Sequence, residues 1–193
     1  DSTLINQAST GLAALAAAVT YTDASPTGPE LYPKLLGGVA GCEAALLGMG
    51  YATHATMHSG RWNWIQSQMT STWPMIAQPS IPALGQVAGV NNGGGYGSGV
   101  RGILPNGLLV VVDNNVATNT GVGSNQDEIY VTPKSECHLW EDPNAPMLIR
   151  AEQPKAANLG LLLVVYEYVA YTFARYANAM QKIAGTGLTA PVF

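Results

Sequence analysis

The chain has 193 residues, 47% of them hydrophobic, with 8 Lys+Arg, 12 Asp+Glu and a formal net charge of −4. Only 10% of its residues are charged, against about 25% in an ordinary soluble domain; the composition is too aliphatic for a disordered chain and lacks the concentrated basic face of a nucleic-acid binder. The most apolar stretch, Leu159 to Ala170, is interrupted by Glu167 and falls short of the roughly 20 residues a membrane-spanning helix needs.

In chain order, residues 1–22 are small and uncharged, and the Ala run from Ala13 to Ala18 leads into the β-prone Val19-Thr20-Tyr21-Thr22. Either a helix or a packed loop feeding a short strand fits. Capping residues Asp23 to Thr27, with Pro29, Glu30 and Pro33, predict a helix start. Leu31, Leu35, Val39, Cys42 and Leu46 recur every three or four positions over 30–47, the spacing of an amphipathic helix. Gly37, Gly38 and Gly41 each weaken that helix by about 1 kcal/mol relative to alanine, which predicts a closely packed backbone beside it. Gly48-Met49-Gly50 ends it.

Ala52 to His58 alternates as a strand does, Ser59-Gly60 reads as a turn, and Arg61 to Met69 as a helix with Trp62, Ile65 and Met69 on one side. The segment from Trp73 to Gly102 has little periodicity and carries the run Asn91 to Gly99, which predicts a long loop. Strands are predicted over Leu104–Asp113, where a turn at Pro105-Asn106-Gly107 precedes the buried run Leu108–Val112, over Asp127–Thr132, Glu136–Trp140, Met147–Glu152 and, as one long strand, Gly160–Ala174. The fold class is α+β, helices early and strands late.

Between Glu43 and Asp113 the charged residues are Arg61 and Arg101. Ionic solvation cannot keep such a stretch soluble, and a partner surface is the reading it invites. Cys42 and Cys137 match no metal-ligand or redox spacing and read as two buried, reduced thiols of an intracellular product.

Candidates for chemistry are weak. His54 and His58 are four apart, but on a strand that places the rings about 13 Å from each other, and no carboxylate lies nearby in sequence. His138, between Glu136 and Glu141, has no second ligand. Gly95-x-Gly97-x-x-Val100 does not follow a buried strand as a phosphate loop does, and Gly97-Ser98-Gly99 lacks the strand a nucleophile elbow needs. Asp113, Asp127, Glu128, Glu141 and Asp142 cannot be paired as acid and base from sequence. The residues therefore point to a structural or assembly role and to no enzyme; a small hydrolase using Asp113 or His58 is the alternative of another class.

Thr56-Met57-His58-Ser59-Gly60-Arg61-Trp62-Asn63-Trp64-Ile65 resembles a landmark of tailed-phage major capsid proteins, in which a strand ends in Met-His/Asn-Pro-x-x-Trp and a helix follows. Further stretches are similar in the family's order: Val19 to Asp23 with Glu30-Leu31, Leu104 to Val116, Gly123 to Val131 through Leu139-Trp140-Glu141, and Phe173 to Tyr176 with Ile183 to Leu188. The resemblance implies the Hong Kong 97-like capsid fold, with residues 1–9 ending a spine-helix region, 10–124 forming an axial domain, 125–167 peripheral strands, and 168–193 returning to the axial domain. It implies a structural protein of the virion, present in the host cytoplasm before assembly, that forms pentamers and hexamers of an icosahedral shell around the DNA genome. Partners would be other copies and virion proteins such as a portal, with no specific nucleic-acid contact, membrane, cofactor, metal or catalytic residue.

Subunit contacts are expected at the loop Gly93, Gly94, Gly95, Tyr96 and Gly97, which resembles the loop pointing at the symmetry axis, and at the peripheral residues Glu141, Asp142, Arg150 and Glu152. Trp62 and Trp64 are expected in the core. Two departures from the family stand out. Ser59-Gly60 replaces the usual proline and basic residue, and the N-terminal arm, extended loop and most of the spine helix are absent. The expectation is therefore the C-terminal part of a longer capsid protein. Encapsulin-like compartments share the fold and are the nearer alternative.

Overall fold

The computed structural model describes residues 2–68, 100–142, 150–155, 160–164 and 168–192. They fall into two compact units. One comprises 1–137 and 173–193, the other His138–Thr172.

The larger unit is built on a six-stranded mixed sheet. Its strands are β1 (Ala17–Thr20), β2 (His54–Met57), β3 (Val100–Ile103), β4 (Leu109–Val112), β5 (Ile129–Thr132) and β10 (Gln181–Ala184), in the order β1-β10-β5-β2-β4-β3. β1 pairs parallel with β10, and β2 with β4; the other neighbours are antiparallel. All four residues of the central strand β5 are buried, because both faces of the sheet are covered.

Parity along the strands separates two apolar layers, as the two-residue side-chain period requires. Ile129 and Val131 of β5, Ala55 and Met57 of β2, Val110 of β4 and Ile183 of β10 join one cluster with Leu31, Leu35 and Cys42 of helix α3 (Gly28–Ala45). Tyr130 and Met180 face the other way, into a smaller cluster with Ile5, Leu12 and Val116. Ile5 and Leu12 come from the short helices α1 (Ser2–Asn6) and α2 (Leu12–Leu15). The N-terminal residues, ambiguous in sequence, thus form two helical turns followed by a strand.

α3 begins where its capping residues predict. The Glu30 carboxylate accepts a hydrogen bond from the Thr27 N–H at 2.9 Å, one half of a capping box. Pro33 falls inside the helix rather than in its first turn. The helix stops at Leu47 and Gly48, both left-handed at φ 54° and 75°, where the Gly48 N–H reaches back to the Glu43 carbonyl at 3.1 Å. The helix glycines face side chains rather than another backbone: a Cβ on Gly38 would lie 3.2 Å from Val131 Cγ2, and one on Gly41 2.7 Å from Gln181 Oε1.

Several elements differ from the sequence reading. Ser59 and Gly60 are not a turn but the first residues of helix α4 (Ser59–Ser67). Val100–Ile103 is a strand inside the segment read as loop; positions 69–99 lie outside the described residues. The turn predicted at Pro105-Asn106-Gly107 forms, the Gly107 N–H donating to Leu104 O at 2.8 Å, and β4 follows it one residue later than predicted, at Leu109. β10 went unpredicted.

In the smaller unit, β6 (His138–Glu141) pairs antiparallel with β9 (Val169–Thr172), and β7 (Arg150–Lys155) with β8 (Gly160–Val164). The strand predicted over Gly160–Ala174 is therefore two, β8 and β9, and the predicted Met147–Glu152 strand is shifted to β7. Lys134–Glu136 forms a 3₁₀ turn before β6.

Candidate functional site

Arg61 is 1% exposed and Asp127 0%. Arg61 Nε lies 3.0 Å from Asp127 Oδ2, and a terminal guanidinium nitrogen donates to Oδ1 at 2.8 Å and to the Thr189 carbonyl at 2.7 Å. The guanidinium carbon also sits 4.8 Å from the Trp64 ring centroid. α4 presents the arginine from its first turn, and Asp127 precedes β5 with its own N–H held by the Leu188 carbonyl at 2.9 Å. Burial pushes the Asp127 carboxyl up from its ordinary value, against the lowering pull of Arg61 and His58. The pair ties α4, the entry to β5 and the C-terminal segment together. Charge scarcity was its only sequence signal: Arg61 is a lone cation in a long uncharged stretch.

The candidates for chemistry named from the sequence are engaged in contacts with nearby backbone and side chains. His58 caps α4, its Nδ1 accepting from the Gly60 N–H at 3.1 Å. His54, on β2, has Nδ1 2.8 Å from Thr53 Oγ1, and burial, with Lys134, lowers its pKa below the usual 6.5. Asp113 Oδ1 accepts from both the backbone N–H and the side-chain amide of Asn115, at 2.8 and 2.9 Å, an Asx turn that closes β4. Glu128 takes the Tyr130 hydroxyl and has Lys182 Nζ 3.5 Å away; burial and Glu128 push the Tyr130 hydroxyl far up. The cysteines are both free, and burial pushes each thiol up to about 11. Among the described residues no group of three or more His, Cys, Asp and Glu is placed to hold a metal ion, and no helix is long and apolar enough to cross a membrane.

Trp62 is buried at 6%, with Trp64 packed against the same core. A Cβ on Gly102 would lie 2.8 Å from the Trp62 ring, so β3 and α4 meet through an indole laid on a bare backbone.

Of the residues expected at subunit contacts, Gly93, Gly94, Gly95, Tyr96 and Gly97 lie outside the described residues. Arg150 and Glu152 fall on β7, where Arg150 pairs with Val164 and Glu152 with Leu162. Glu141 ends β6 opposite Val169, and the Asp142 N–H donates to the Tyr168 carbonyl at 3.2 Å. Both carboxylates are exposed.

Sequence reasoning missed what surrounds these two acids. Leu139, Trp140, Tyr168 and Val169 are 52, 55, 65 and 50% exposed. Strand alternation puts His138 and Trp140 on one face of the ribbon, their rings stacked at 5.6 Å, and Leu139 with Glu141 on the other. A second apolar corner lies in the larger unit, where Leu47, Met49 and Tyr51 follow α3 at 82, 77 and 68% exposure. Clustered large apolar side chains mark contact surfaces more than scattered ones do.

No family model matches this chain, and no curated protein matches it. Among solved structures, a chain from Mycobacterium phage Che8 is similar, with a TM-score of 0.52 at 9% sequence identity over 90% of this chain and 54% of that chain. This chain thus spans about half the length of the phage chain. At that identity the likeness speaks to fold: an α+β architecture on a sheet core, similar to that of a mycobacteriophage protein.

Proposed function

We propose that this chain is a shell-forming subunit, the C-terminal portion of a tailed-phage major capsid protein with the Hong Kong 97-like fold. The observation that carries the reading is the fold likeness to a phage chain over 90% of these residues, joined to capsid-like landmarks that occur in family order along the sequence. The division into a larger unit and an inserted His138–Thr172 unit supports it, as does the half-exposed apolar ribbon of β6 and β9.

A shell subunit works by geometry. Contacts that are weak singly become strong when repeated in closed symmetry, and they bury surface on every side. Each unpaired charge buried there costs several kcal/mol, so a surface meant for neighbours is sparing with charge. Among the described residues, 44–68 and 100–112 carry only Arg61 and Arg101 as charged residues, and Arg61 is buried.

The test is the assembly state of the full-length product of the encoding gene, by negative-stain microscopy and sedimentation velocity. Closed shells, or pentamers and hexamers, are expected. A monodisperse monomer at high concentration, with turnover on ester or phosphoester substrates that Asp113→Ala abolishes, would favour the hydrolase reading instead.

A further inference from the structure

A cleft of about 190 Å³ opens in the larger unit, lined by Leu46, Met49, Ser135, Glu136, Arg175 and Tyr176. Its polar feature is Glu136. The residue is 8% exposed, yet its Oε2 is buried with no hydrogen-bond partner. Arg175 Nε is 3.8 Å from that oxygen, beyond hydrogen-bond reach. The arginine is itself 61% exposed, with its guanidinium 5.4 Å over the Tyr176 ring. A carboxylate oxygen shut away from water without a donor is costly, so a donor arriving from outside relieves a penalty the isolated subunit carries. The walls suit the stem of a long cationic side chain: Leu46, buried, and Met49, 77% exposed, both line the cleft. Lysine and arginine bury such stems along apolar surface while the charged head finds its partner.

We propose that this cleft receives a lysine or arginine side chain from a second copy of this chain, its N–H groups meeting the Glu136 carboxylate, whose side chain keeps 11% exposure, and its aliphatic stem covering Leu46 and Met49. The inference rests on the assembly reading for the identity of the partner: subunits of a shell are surrounded by copies of themselves, and this chain offers exposed cations away from the cleft, such as Arg101 on the edge strand β3. Charge complementarity selects the side chain. Arg175 is a loosely held competitor at the rim.

The test uses Nα-acetyl-lysine methylamide as probe, titrated into the unassembled protein while the Met49 methyl signal is followed by NMR, with the uncharged Nα-acetyl-norleucine methylamide as control. Saturable binding of the lysine probe is expected. Glu136→Gln should weaken it by about five-fold or more, and Arg175→Ala should strengthen it by about two- to five-fold by removing an exposed competing cation. Because Glu136→Gln could disturb the fold, its amide spectrum is compared with wild type; Arg175→Ala, at an exposed position, is an independent arm. Equal binding of the norleucine control, or no effect of either substitution, overturns the proposal. In the full-length product, Glu136→Gln should shift assembly to higher protein concentration. If wild type assembles and Glu136→Gln assembles identically, the cleft proposal fails and the assembly reading stands. If wild type does not assemble, the assembly reading and the second-copy assignment fail together, whatever the probe does.

Discussion

Arg61 and Asp127, 66 positions apart in sequence, meet as a two-point ion pair with neither side chain more than 1% exposed. Two charges taken wholly out of water hold each other in place only while both are present. Removing one should therefore be far worse than removing both. Asp127→Ala is expected to destabilise the larger unit by about 3–5 kcal/mol, read as a fall in the urea midpoint. The double variant Arg61→Met/Asp127→Leu should recover most of that loss, and a double variant no more stable than Asp127→Ala would contradict this account.

His54 predicts an acid-side loss of stability. Its native pKa lies below the unfolded value of 6.5 because burial, then Lys134, disfavour the imidazolium. Between the two values the unfolded chain binds more protons, so stability rises with pH there. The contribution is complete above about 6.5 and is lost as pH falls through the native value. Urea midpoints measured on both sides of that window should drop more for wild type than for His54→Gln, whose cost at neutral pH is about 0.5–1.5 kcal/mol for a lost hydrogen bond.

Gly185 sits at φ 134°, and a Cβ there would lie 2.3 Å from the Tyr21 carbonyl oxygen. That oxygen cannot move away easily, since it accepts from the Gly187 N–H at 3.0 Å while the Tyr21 N–H donates to Ala184 at 2.9 Å. Gly185→Ala should cost more than the usual 1–3 kcal/mol or so of local backbone strain. Gly48→Ala, at φ 75° with nothing within 4 Å, should cost only about 1 kcal/mol. Thermal denaturation of the two variants side by side checks the difference.

Trp140→Lys and Leu139→Lys place a charge on either face of the β6–β9 ribbon. Both positions are more than half exposed, so unfolding midpoints should stay within about 0.5 kcal/mol of wild type. Assembly of the full-length product, followed by light scattering, should be lost or moved to much higher concentration. Unchanged assembly in both variants would remove the ribbon from the list of contact surfaces.

What the sequence made legible follows from how local the signals were. α3 could be read because its apolar spacing, its Thr27 cap and its closing glycines are all contained within about twenty residues of chain, and β2 and β5 because alternation or β-branching marks them. β10 was illegible for the opposite reason. Gln181-Lys182-Ile183-Ala184 has no strand character of its own, and it is extended because β1 and β5 hold it on both edges. The split between β8 and β9 was hidden because Gly160 to Ala174 is β-branched, aliphatic or aromatic almost throughout, with Glu167 as its one charge, and such a run does not announce where one strand leaves its partner for another. Arg61 and Asp127 were each visible as charges, but their pairing depends on tertiary approach, which spacing does not encode.

The place of β10 in the sheet also bears on how the chain reaches this state. Ala17 is bonded to the strand that starts at Gln181, and β10 separates β1 from β5. During synthesis β1 has no neighbour, and one edge of β5 stays bare, until residues 181–184 have emerged. Such distant pairings form slowly, and unpaired strand edges are sticky in the interval. A nascent chain stalled before residue 181 should therefore be protease-sensitive and aggregation-prone, and emergence of Gln181–Ala184 should act as the latch that closes the sheet on both sides of β10.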